Sequence, residues 1–522
     1  MTRAAAVLFA RPRLTAAVLG ALAACGFAPL GLWPLTLLCL ALLTALLARA
    51  ESRKQAFLLG WLFGLTQFTV GLNWIVTAFG FQAALPAWLG WIAVIGLSAY
   101  LAVWPGLALL GAWLLGRGNR LALVLALAGC WAIGEWLRGW VFTGFPWNPL
   151  GAIALRSYSD PGLAFTAQWL GTYALSGLVM LLAGCWWLAL ERRRADARGA
   201  ALVLAPVLLM LVPAPRDTRD GTLDYTLVQP NTAQEELHDP ARYEETFQRS
   251  MNLSRAARPG QTRLVLWPES GLPDFLFPGY PARWYRATTY GADPELARWR
   301  IGRMIGDGTV LLTGNDRLDV QGDKVTSARA GISAIASDGT VRATYDKAHL
   351  VPFGEYVPLP QVLEPLGLAR FVPGDIGFKP GPGPRTIDLG AWGRVGMQLC
   401  YEIIFPGAVT QPGARPDFIF NPSNDGWYGN WGPPQHLAHA RLRAIEEGLP
   451  VLRSTTTGVS AVIDAAGRVR HHVPLRQAAR IDGKVPPAAD PTLFAQAGNA
   501  LSLGWAIALL ALSLVARRRR GG

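Results

Sequence analysis

Residues 162–190 read GLAFTAQWLGTYALSGLVMLLAGCWWLAL, a run of 29 residues without one charged side chain. The charged sequence ERRR follows directly at 191–194. A helix of about 20 apolar residues, each rising 1.5 Å, crosses the hydrocarbon core of a bilayer. This run therefore predicts a membrane-spanning helix, which already excludes a wholly soluble protein.

Similar apolar runs lie at 12–29, 33–49, 56–80, 85–115, 120–141, 198–213 and 498–516. Of the 522 residues only 16% are charged and 51% are hydrophobic, whereas a soluble domain usually carries about 25% charged residues. We therefore predict eight spans. They give a transmembrane domain of about seven spans at 1–213, a soluble domain at 214–497, and a last span with a basic tail at 498–522.

Basic residues gather in the short loops between these runs. The clusters are Arg3, Arg11 and Arg13; Arg49, Arg53 and Lys54; Arg117 and Arg120; Arg192, Arg193, Arg194 and Arg198; and Arg517 to Arg520. They hold 16 basic side chains against three acidic ones, which equals the whole net charge of +13. All clusters share one side of the membrane if both termini are cytoplasmic, so the soluble domain is predicted outside the cytoplasm. The basic charge thus reflects topology and does not indicate a nucleic-acid partner.

The soluble domain alternates short β-rich segments with helical ones. Strands are predicted at 223–228, 263–267, 310–313, 331–336, 394–399, 417–420, 451–454 and 458–463, and helices at 240–257, 294–305 and 434–447. Such alternation is typical of an α/β or layered α+β domain.

Five cysteines exclude a disulfide scaffold. Four of them lie in apolar runs, where a cysteine usually acts as a small hydrophobic side chain. Cys400 is the only cysteine in the soluble domain, and it follows the predicted strand at 394–399. Alone, this position favours packing, but its neighbours in the sequence change that interpretation.

Two charged residues also stand at strand ends, Glu269 after the predicted strand at 263–267 and Lys347 at the end of a further predicted strand. Glu269 lies in WPES at 267–270, and Lys347 lies in YDKAHLVPFGE at 345–355. Glu, Lys and Cys in this order, with NPSNDGWYG at 421–429, resemble the nitrilase superfamily. The resemblance implies an α-β-β-α sandwich in which Glu269, Lys347 and Cys400 are the catalytic triad.

With its spans included, the chain resembles the apolipoprotein N-acyltransferase family over nearly its full length. FTGFPWNP at 142–149 and GFAP at 26–29 are similar to that family's membrane signatures. The resemblance implies a multi-pass enzyme of the bacterial inner membrane with a periplasmic catalytic domain and no cofactor or metal. Its partners would be a phospholipid acyl donor and an apolipoprotein whose N-terminal diacylglyceryl-cysteine accepts the acyl chain.

The triad has a chemical rationale of its own. A thiol attacks an ester well only as thiolate, and a free cysteine has a pKa of about 8.5. Glu269 is assigned as the general base, while Lys347 and the backbone N–H of Tyr401 would stabilise the oxyanion. Transfer through a thioester on Cys400 should then follow ping-pong kinetics.

The remaining candidates have weaker signals. By resemblance, Glu355 is an active-site carboxylate that orients Lys347. Glu402 either holds the turn at Cys400 or lines the site. Asn424 and Asp425 either bind a polar group of the substrate or cap a turn. His238 stands where relatives are expected to carry a tryptophan, which puts substrate gating there in question.

Two further features are interpreted more simply. His436 and His439 have a spacing that could serve a metal, but with no completing ligand nearby the surface of a helix is favoured. The Pro/Gly-rich stretch 353–384 carries apolar residues and predicts a lid that dips into the acyl region of the bilayer.

Two other functions remain open. A membrane-tethered amidase or nitrilase would use the same triad with water as acceptor, although a small soluble amide would not require eight spans. A transporter with an accessory soluble domain is the second, but transporters usually show internal repeats and intramembrane charges. No repeat is found, and few charges lie near the spans.

Overall fold

The computed structural model describes residues 9–81, 86, 88–192, 196–215, 218–256, 258, 260–363, 365 and 376–519. The side chains of His238, Val362 and Leu363 also lie outside that description.

The first part of the chain is helical. Its helices are α1 (Pro12–Ala23), α2 (Trp33–Ala48), α3 (Arg53–Gly71), α4 (Ile75–Gly80), α5 (Leu89–Leu101), α6 (Val103–Gly116), α7 (Arg120–Arg138), α8 (Ala167–Leu190) and α9 (Ala197–Leu211). Each of the first seven predicted runs overlaps at least one of these helices. Four described segments, Leu89–Gly116, Arg120–Arg138, Gly162–Leu190 and Asn499–Arg518, are long and apolar enough to cross a membrane. The number of crossings remains a prediction.

The second part contains twelve described strands and seven further α-helices. In chain order these are β1 (Asp224–Gln229), α10 (Tyr243–Leu253), β2 (Arg263–Leu266), α11 (Ala282–Thr288), α12 (Pro294–Ile305), β3 (Thr309–Gln321), β4 (Lys324–Ala336), β5 (Val341–Asp346), α13 (Pro360–Leu363), β6 (Arg385–Asp388), β7 (Arg394–Met397), β8 (Phe418–Ser423), α14 (Gly432–Glu447), β9 (Val451–Thr455), β10 (Ser460–Ile463), β11 (Val469–Val473), β12 (Ala479–Lys484), α15 (Leu493–Ala497) and α16 (Asn499–Arg518).

The strands form two six-stranded sheets. The first has the order β12-β1-β2-β3-β4-β5 and the second the order β11-β10-β9-β8-β7-β6. Parallel pairs occupy the centre of each, β1-β2-β3 in one and β7-β8-β9 in the other, and antiparallel strands flank them. The carboxyl ends of these central parallel strands are therefore where side chains from different strands can meet.

Apolar side chains from both sheets share one core between them, including Leu266 and Leu312 of the first sheet and Phe420 and Leu452 of the second. Helices α10 and α12 cover the outer face of the first sheet, and α14 covers that of the second. The predicted α-β-β-α sandwich is confirmed. The core beneath α14 also includes side chains of the helical part, so the two parts pack together.

The predicted strands miss half of the β structure. Strands β3 and β4 run far beyond 310–313 and 331–336 and meet in a hairpin turn at Gly322. None of the last six residues of β3 is buried. This outer half therefore lacks the apolar alternation that marks a strand. Strands β6, β11 and β12 are likewise short or half exposed.

Candidate active site

Cys400 lies where the chain leaves β7 and enters a short 3₁₀ helix, Cys400–Ile404. Its φ is +51°, in the left-handed region that a non-glycine residue rarely occupies. Backbone strain of this kind is concentrated at functional sites. The turn places the thiol against Tyr428, whose hydroxyl lies 3.5 Å from Sγ. Burial, and next the Glu269 carboxylate, raise the pKa of the Cys400 thiol, so the resting group is protonated.

Lys347 brings two carboxylates together at the end of β5. Its Nζ lies 2.7 Å from Oε1 of Glu355 and 3.6 Å from Oε1 of Glu269, and the side chain is only 1% exposed. Burial alone would lower the pKa of Lys347, but Glu355 and Glu269 raise it instead. The lysine is therefore a fixed cation. Glu355 also accepts a bond of 2.7 Å from the backbone N–H of Val351, which holds this turn.

Glu269 follows β2, and a close approach of β3 fixes its position. A Cβ on Gly314 would lie 2.6 Å from the Glu269 Cα, so only glycine fits there. Oε2 of Glu269 accepts a bond of 2.7 Å from the backbone N–H of Asn424, at the end of β8. The triad members thus come from the carboxyl ends of β2, β5 and β7, and the structure brings all three together.

Glu402 ties the Cys400 turn to the lysine turn. One oxygen accepts bonds from the Tyr345 hydroxyl and the backbone N–H groups of Ala348 and His349, at 2.7, 2.7 and 3.1 Å. The other accepts from the N–H of Leu399 at 2.7 Å. Burial raises the pKa of Glu402 to about 7. All four contacts are to the protein, so the geometry favours the first alternative, that Glu402 holds the turn.

Asn424 and Asp425 are buried and engaged with the protein. The Asn424 side chain caps the turn at Gly426, accepts from Thr456 at 2.9 Å and donates to Gln234 at 2.8 Å. Asp425 pairs with Arg453 at 2.8 Å. For Asn424 this geometry favours turn capping over substrate binding, whereas the Asp425 carboxylate is held in a buried ion pair and caps no turn among the described residues.

A histidine supports the Cys400 turn from behind. Nε2 of His436 lies 3.1 Å from the carbonyl of Cys400, and Nδ1 lies 2.9 Å from a guanidinium nitrogen of Arg453. Burial, together with the Arg453 cation, lowers the pKa of His436, so the ring is neutral. With a proton on Nε2 the ring donates to Cys400 and accepts from Arg453, which also donates to Oδ1 of Asp425, 3.1 Å from Nδ1. The prediction that His436 and His439 lie on a helix surface is wrong, since both are fully buried.

The helical part of the chain forms one wall of the site. The Tyr401 hydroxyl donates to the carbonyl of Gly144 at 3.3 Å, and the Phe145 ring packs against Tyr401. Nε2 of His349 lies 3.0 Å from the carbonyl of Thr143. The stretch 142–149, singled out from the sequence, therefore contacts the turn that carries Cys400.

Arg138 and Gln435 hold that wall in place. Arg138 donates to the carbonyls of Phe145 and Trp147 at 3.1 and 2.7 Å. Gln435 of α14 accepts from the indole N–H of Trp147 at 2.8 Å and donates to the carbonyl of Ala28 at 3.1 Å. The GFAP signature at 26–29 thus meets the same polar cluster.

Sequence reasoning missed Tyr428, His436 and Arg453 as parts of the site. Tyr428 was within the quoted stretch 421–429, but nothing there assigned it to the thiol. Arg453 lies inside a predicted strand, and its buried partners are contributed by other elements. Two predictions fall outside the described residues: the side chain of His238, and most of the apolar residues of the predicted lid at 353–384.

Comparisons with known proteins agree with this architecture. Residues 19–185 match the apolipoprotein N-acyltransferase N-terminal domain, and residues 226–478 match the carbon-nitrogen hydrolase family. An amidase of known structure from Nesterenkonia sp. AN1 is 20% identical with a TM-score of 0.34, covering 52% of this chain and 94% of its own. A similarity this low supports no conclusion about the fold or the activity of this chain.

Two curated relatives match almost end to end. The apolipoprotein N-acyltransferase of Bradyrhizobium diazoefficiens is 36% identical, covering 97% of this chain and 95% of its own length. That of Bordetella bronchiseptica is 34% identical, covering 98% and 97%. On this identity over nearly its whole length, the chain belongs to the apolipoprotein N-acyltransferase family.

Proposed function

We propose that this protein transfers an acyl chain from a phospholipid to the α-amine of the N-terminal diacylglyceryl-cysteine of an apolipoprotein, through a thioester on Cys400. The observation that carries the proposal is the position of Cys400. It lies in a left-handed turn beside a buried Glu-Lys-Glu cluster and under a wall contributed by the helical part. Family membership supports acyl transfer as the reaction class.

In the first half-reaction, Glu269 takes the proton from Sγ as the thiolate attacks the ester carbonyl. A base is required because the resting thiol is protonated. The negative charge on the carbonyl oxygen is stabilised by Lys347 and by the N–H of Tyr401, in the first turn of a helix where N–H groups lack intrahelical acceptors. Collapse breaks the ester bond, and Glu269 returns the proton to the leaving lysophospholipid alkoxide.

In the second half-reaction, the acceptor amine attacks the thioester carbonyl and Glu269 takes a proton from the nitrogen. The C–S bond breaks, the amide forms, and the proton goes back to the Cys400 sulfur. Lys347 stabilises the oxyanion in both half-reactions because Glu355 holds the lysine in place. The Tyr428 hydroxyl can donate to the thiolate, since burial keeps its own pKa raised.

The same triad could release the acyl chain to water, as an amidase does. The contacts between the site and stretch 142–149 favour a membrane substrate instead. A water-soluble substrate gives no reason for a wall built by the helical part.

Purified protein incubated with phospholipid, followed by intact mass, tests the proposal. We expect an acyl adduct on the wild-type protein and on Cys185→Ala, a cysteine in α8, but none on Cys400→Ser. Discharge of the adduct by a diacylglyceryl-cysteine peptide, faster than by water, is expected. An adduct on Cys400→Ser would refute the assignment of the nucleophile.

For topology we propose a multi-pass inner-membrane protein with domains at 1–213, 214–497 and 498–522, both termini cytoplasmic and the catalytic domain periplasmic. The support is the one-sided distribution of basic residues in the loops. A reporter fused after Arg198 should report the cytoplasm, and one inserted near Gly260 the periplasm. A cytoplasmic signal near Gly260 would overturn the location and the lipoprotein acceptor together.

A further inference from the structure

Trp74 lies in the turn between α3 and α4, in the helical part of the chain, yet it packs against the second part. Its side chain is buried. The centroid of its ring lies 4.7 Å from that of Tyr428, and the two planes meet at 76°, an edge-to-face geometry. The Tyr428 hydroxyl in turn lies 3.5 Å from Sγ of Cys400. A single side chain therefore separates Trp74 from the thiol.

Three described aromatic rings surround the ring of Tyr428. Trp74 is the nearest, while the centroids of Trp147 and His436 lie 5.5 and 5.4 Å away. Trp74 also packs on Trp147, with their centroids 4.6 Å apart. Buried side chains are held by close packing on every side. Removing the nearest ring would therefore leave Tyr428 free to tilt toward the space that opens.

Trp74 is itself fixed in place by α14. Its indole N–H donates to Oε1 of Gln435 at 3.2 Å, the same oxygen that accepts from Trp147. A glycine at the start of this helix makes room for both rings: a Cβ on Gly432 would lie 2.4 Å from Cβ of Tyr428 and 3.2 Å from Cγ of Trp74. The approach of Trp74 to Tyr428 thus depends on the shape of the backbone and on a specific hydrogen bond.

We infer that Trp74 is a positioning residue that holds the Tyr428 hydroxyl against Sγ of Cys400, so that the helical part of the chain controls how readily the thiolate forms. The inference rests on the proposed role of Cys400. A hydroxyl that donates to a thiolate stabilises the charge, and hydrogen bonds to an ionised acceptor are stronger than neutral ones. A tilt of the Tyr428 ring would lengthen this contact and lose that stabilisation.

The rate at which iodoacetamide alkylates Cys400 in the full chain, followed by peptide mass, reports thiolate formation without a lipid substrate. We expect Tyr428→Phe to slow alkylation about 10- to 100-fold, as for the loss of a hydrogen bond to a charged group. Trp74→Leu should slow it about 2- to 10-fold, the size of the effect of one edge-to-face pair. Trp74→Phe keeps a ring and should recover most of the rate. With phospholipid, Trp74→Leu should lower the rate constant of thioester formation and leave KM unchanged.

A double variant separates positioning from general packing. Because Trp74 acts through the Tyr428 hydroxyl, Trp74→Leu combined with Tyr428→Phe should be no slower than Tyr428→Phe alone. Trp187→Leu, at a buried tryptophan of α8, is the matched control and should leave the alkylation rate unchanged. Trp74→Met, which fills more of the volume without a ring, repeats the comparison if Trp74→Leu does not fold.

The outcomes also separate the inference from the function it rests on. If Trp74→Leu slows alkylation by the same factor with and without the Tyr428 hydroxyl, the two residues act independently and the inference is overturned. It is equally overturned if Trp187→Leu slows alkylation as much, or if Trp74→Leu raises KM for phospholipid and leaves alkylation unchanged. A wild-type protein whose Cys400 is alkylated but forms no thioester with phospholipid would refute the proposed function alone.

Discussion

The two helical layers of the sandwich differ in how much of each helix is buried. In α12, four of 12 residues are buried, and Ala297, Ile301 and Ile305 form one stripe four residues apart. In α14, 14 of 16 residues are buried. One face of α14 packs on the second sheet and the other packs on helices of the first part, as the shared cores show. A solvent-facing layer needs one apolar stripe, whereas a layer between two bodies must also satisfy every charge it buries.

Helix α14 satisfies its charges across the boundary between the two parts. Arg443 pairs with Glu446 at 2.8 Å and donates to the Thr172 hydroxyl at 2.6 Å. Arg441 donates to the carbonyl of Ser157 at 2.7 Å. Because the same helix carries His436 under Cys400, the helices of the first part and Cys400 are joined through one element. The helical part is thus a component of the site as well as an anchor.

The largest expected effect is on stability. Arg443→Met should lower the free energy of unfolding by about 3–5 kcal/mol, because it leaves Glu446 as an unpaired buried charge. Arg303→Met, at the exposed side of α12, is the matched control and should change it by no more than about 0.5 kcal/mol. Denaturation in detergent would measure both. Equal effects would contradict the contrast between the layers.

The second prediction concerns pH. Burial, and next the charge of Glu446, raise the pKa of Glu447 in α14 to about 7. Because the folded state holds this proton more tightly than the unfolded state, the stabilisation is complete below about pH 4.5 and is lost as the pH rises through about 7. Glu447→Gln should remove about 2–3 kcal/mol of this pH dependence. Denaturation at pH 5 and pH 8 tests it, and an unchanged slope would contradict it.

Catalysis should respond to α14 as well. His436→Leu removes the donor to the Cys400 carbonyl and should slow thioester formation about 10- to 100-fold, in line with the loss of a buried hydrogen bond. His436→Gln keeps a donor and should recover part of the rate. As a positioning residue, His436 should change the rate constant and leave KM for phospholipid unchanged. A rise in KM alone would refute this role.

How far the sequence predicts the fold also differs between the layers. The bounds of α12 were predicted as they are observed, because its stripe and the Asp293-Pro294 start are local signals. The predicted bounds of α14 were off by only two residues, at its start. The prediction that this helix has an exposed surface was wrong. Charged residues usually face solvent, and two of the groups that accept from Arg441 and Arg443, the Ser157 carbonyl and the Thr172 hydroxyl, are more than 270 residues away in sequence.

The residues of the site also fall into two groups, those that the sequence predicts and those that only the fold brings together. Glu269, Lys347 and Cys400 each follow a strand, and the family resemblance places them together. Tyr428 and His436 contact Cys400 only because β7, β8 and α14 converge in space. A pattern in a single sequence cannot predict such a contact.

The smallest expected effect is at the wall of the site. Tyr401→Phe removes the hydroxyl that donates to Gly144 but keeps the ring. One such bond contributes about 1 kcal/mol, so thioester formation should slow about fivefold. Tyr158→Phe, at a tyrosine whose ring packs against His472 away from the site, should leave the rate unchanged. A loss of activity above 100-fold for Tyr401→Phe would mean that its hydroxyl takes part in the chemistry.

The division of roles between the two glutamates is the most direct test of the account. Glu269→Gln keeps the shape of the side chain but removes the base, while Glu355→Gln removes only the charge that holds Lys347. Losing one oxyanion contact typically costs about 10²–10³ in rate. With phospholipid and intact mass as the readout, Glu355→Gln should accumulate the Cys400 adduct slowly and Glu269→Gln should not accumulate it. Adduct formation by Glu269→Gln at the wild-type rate would contradict the account.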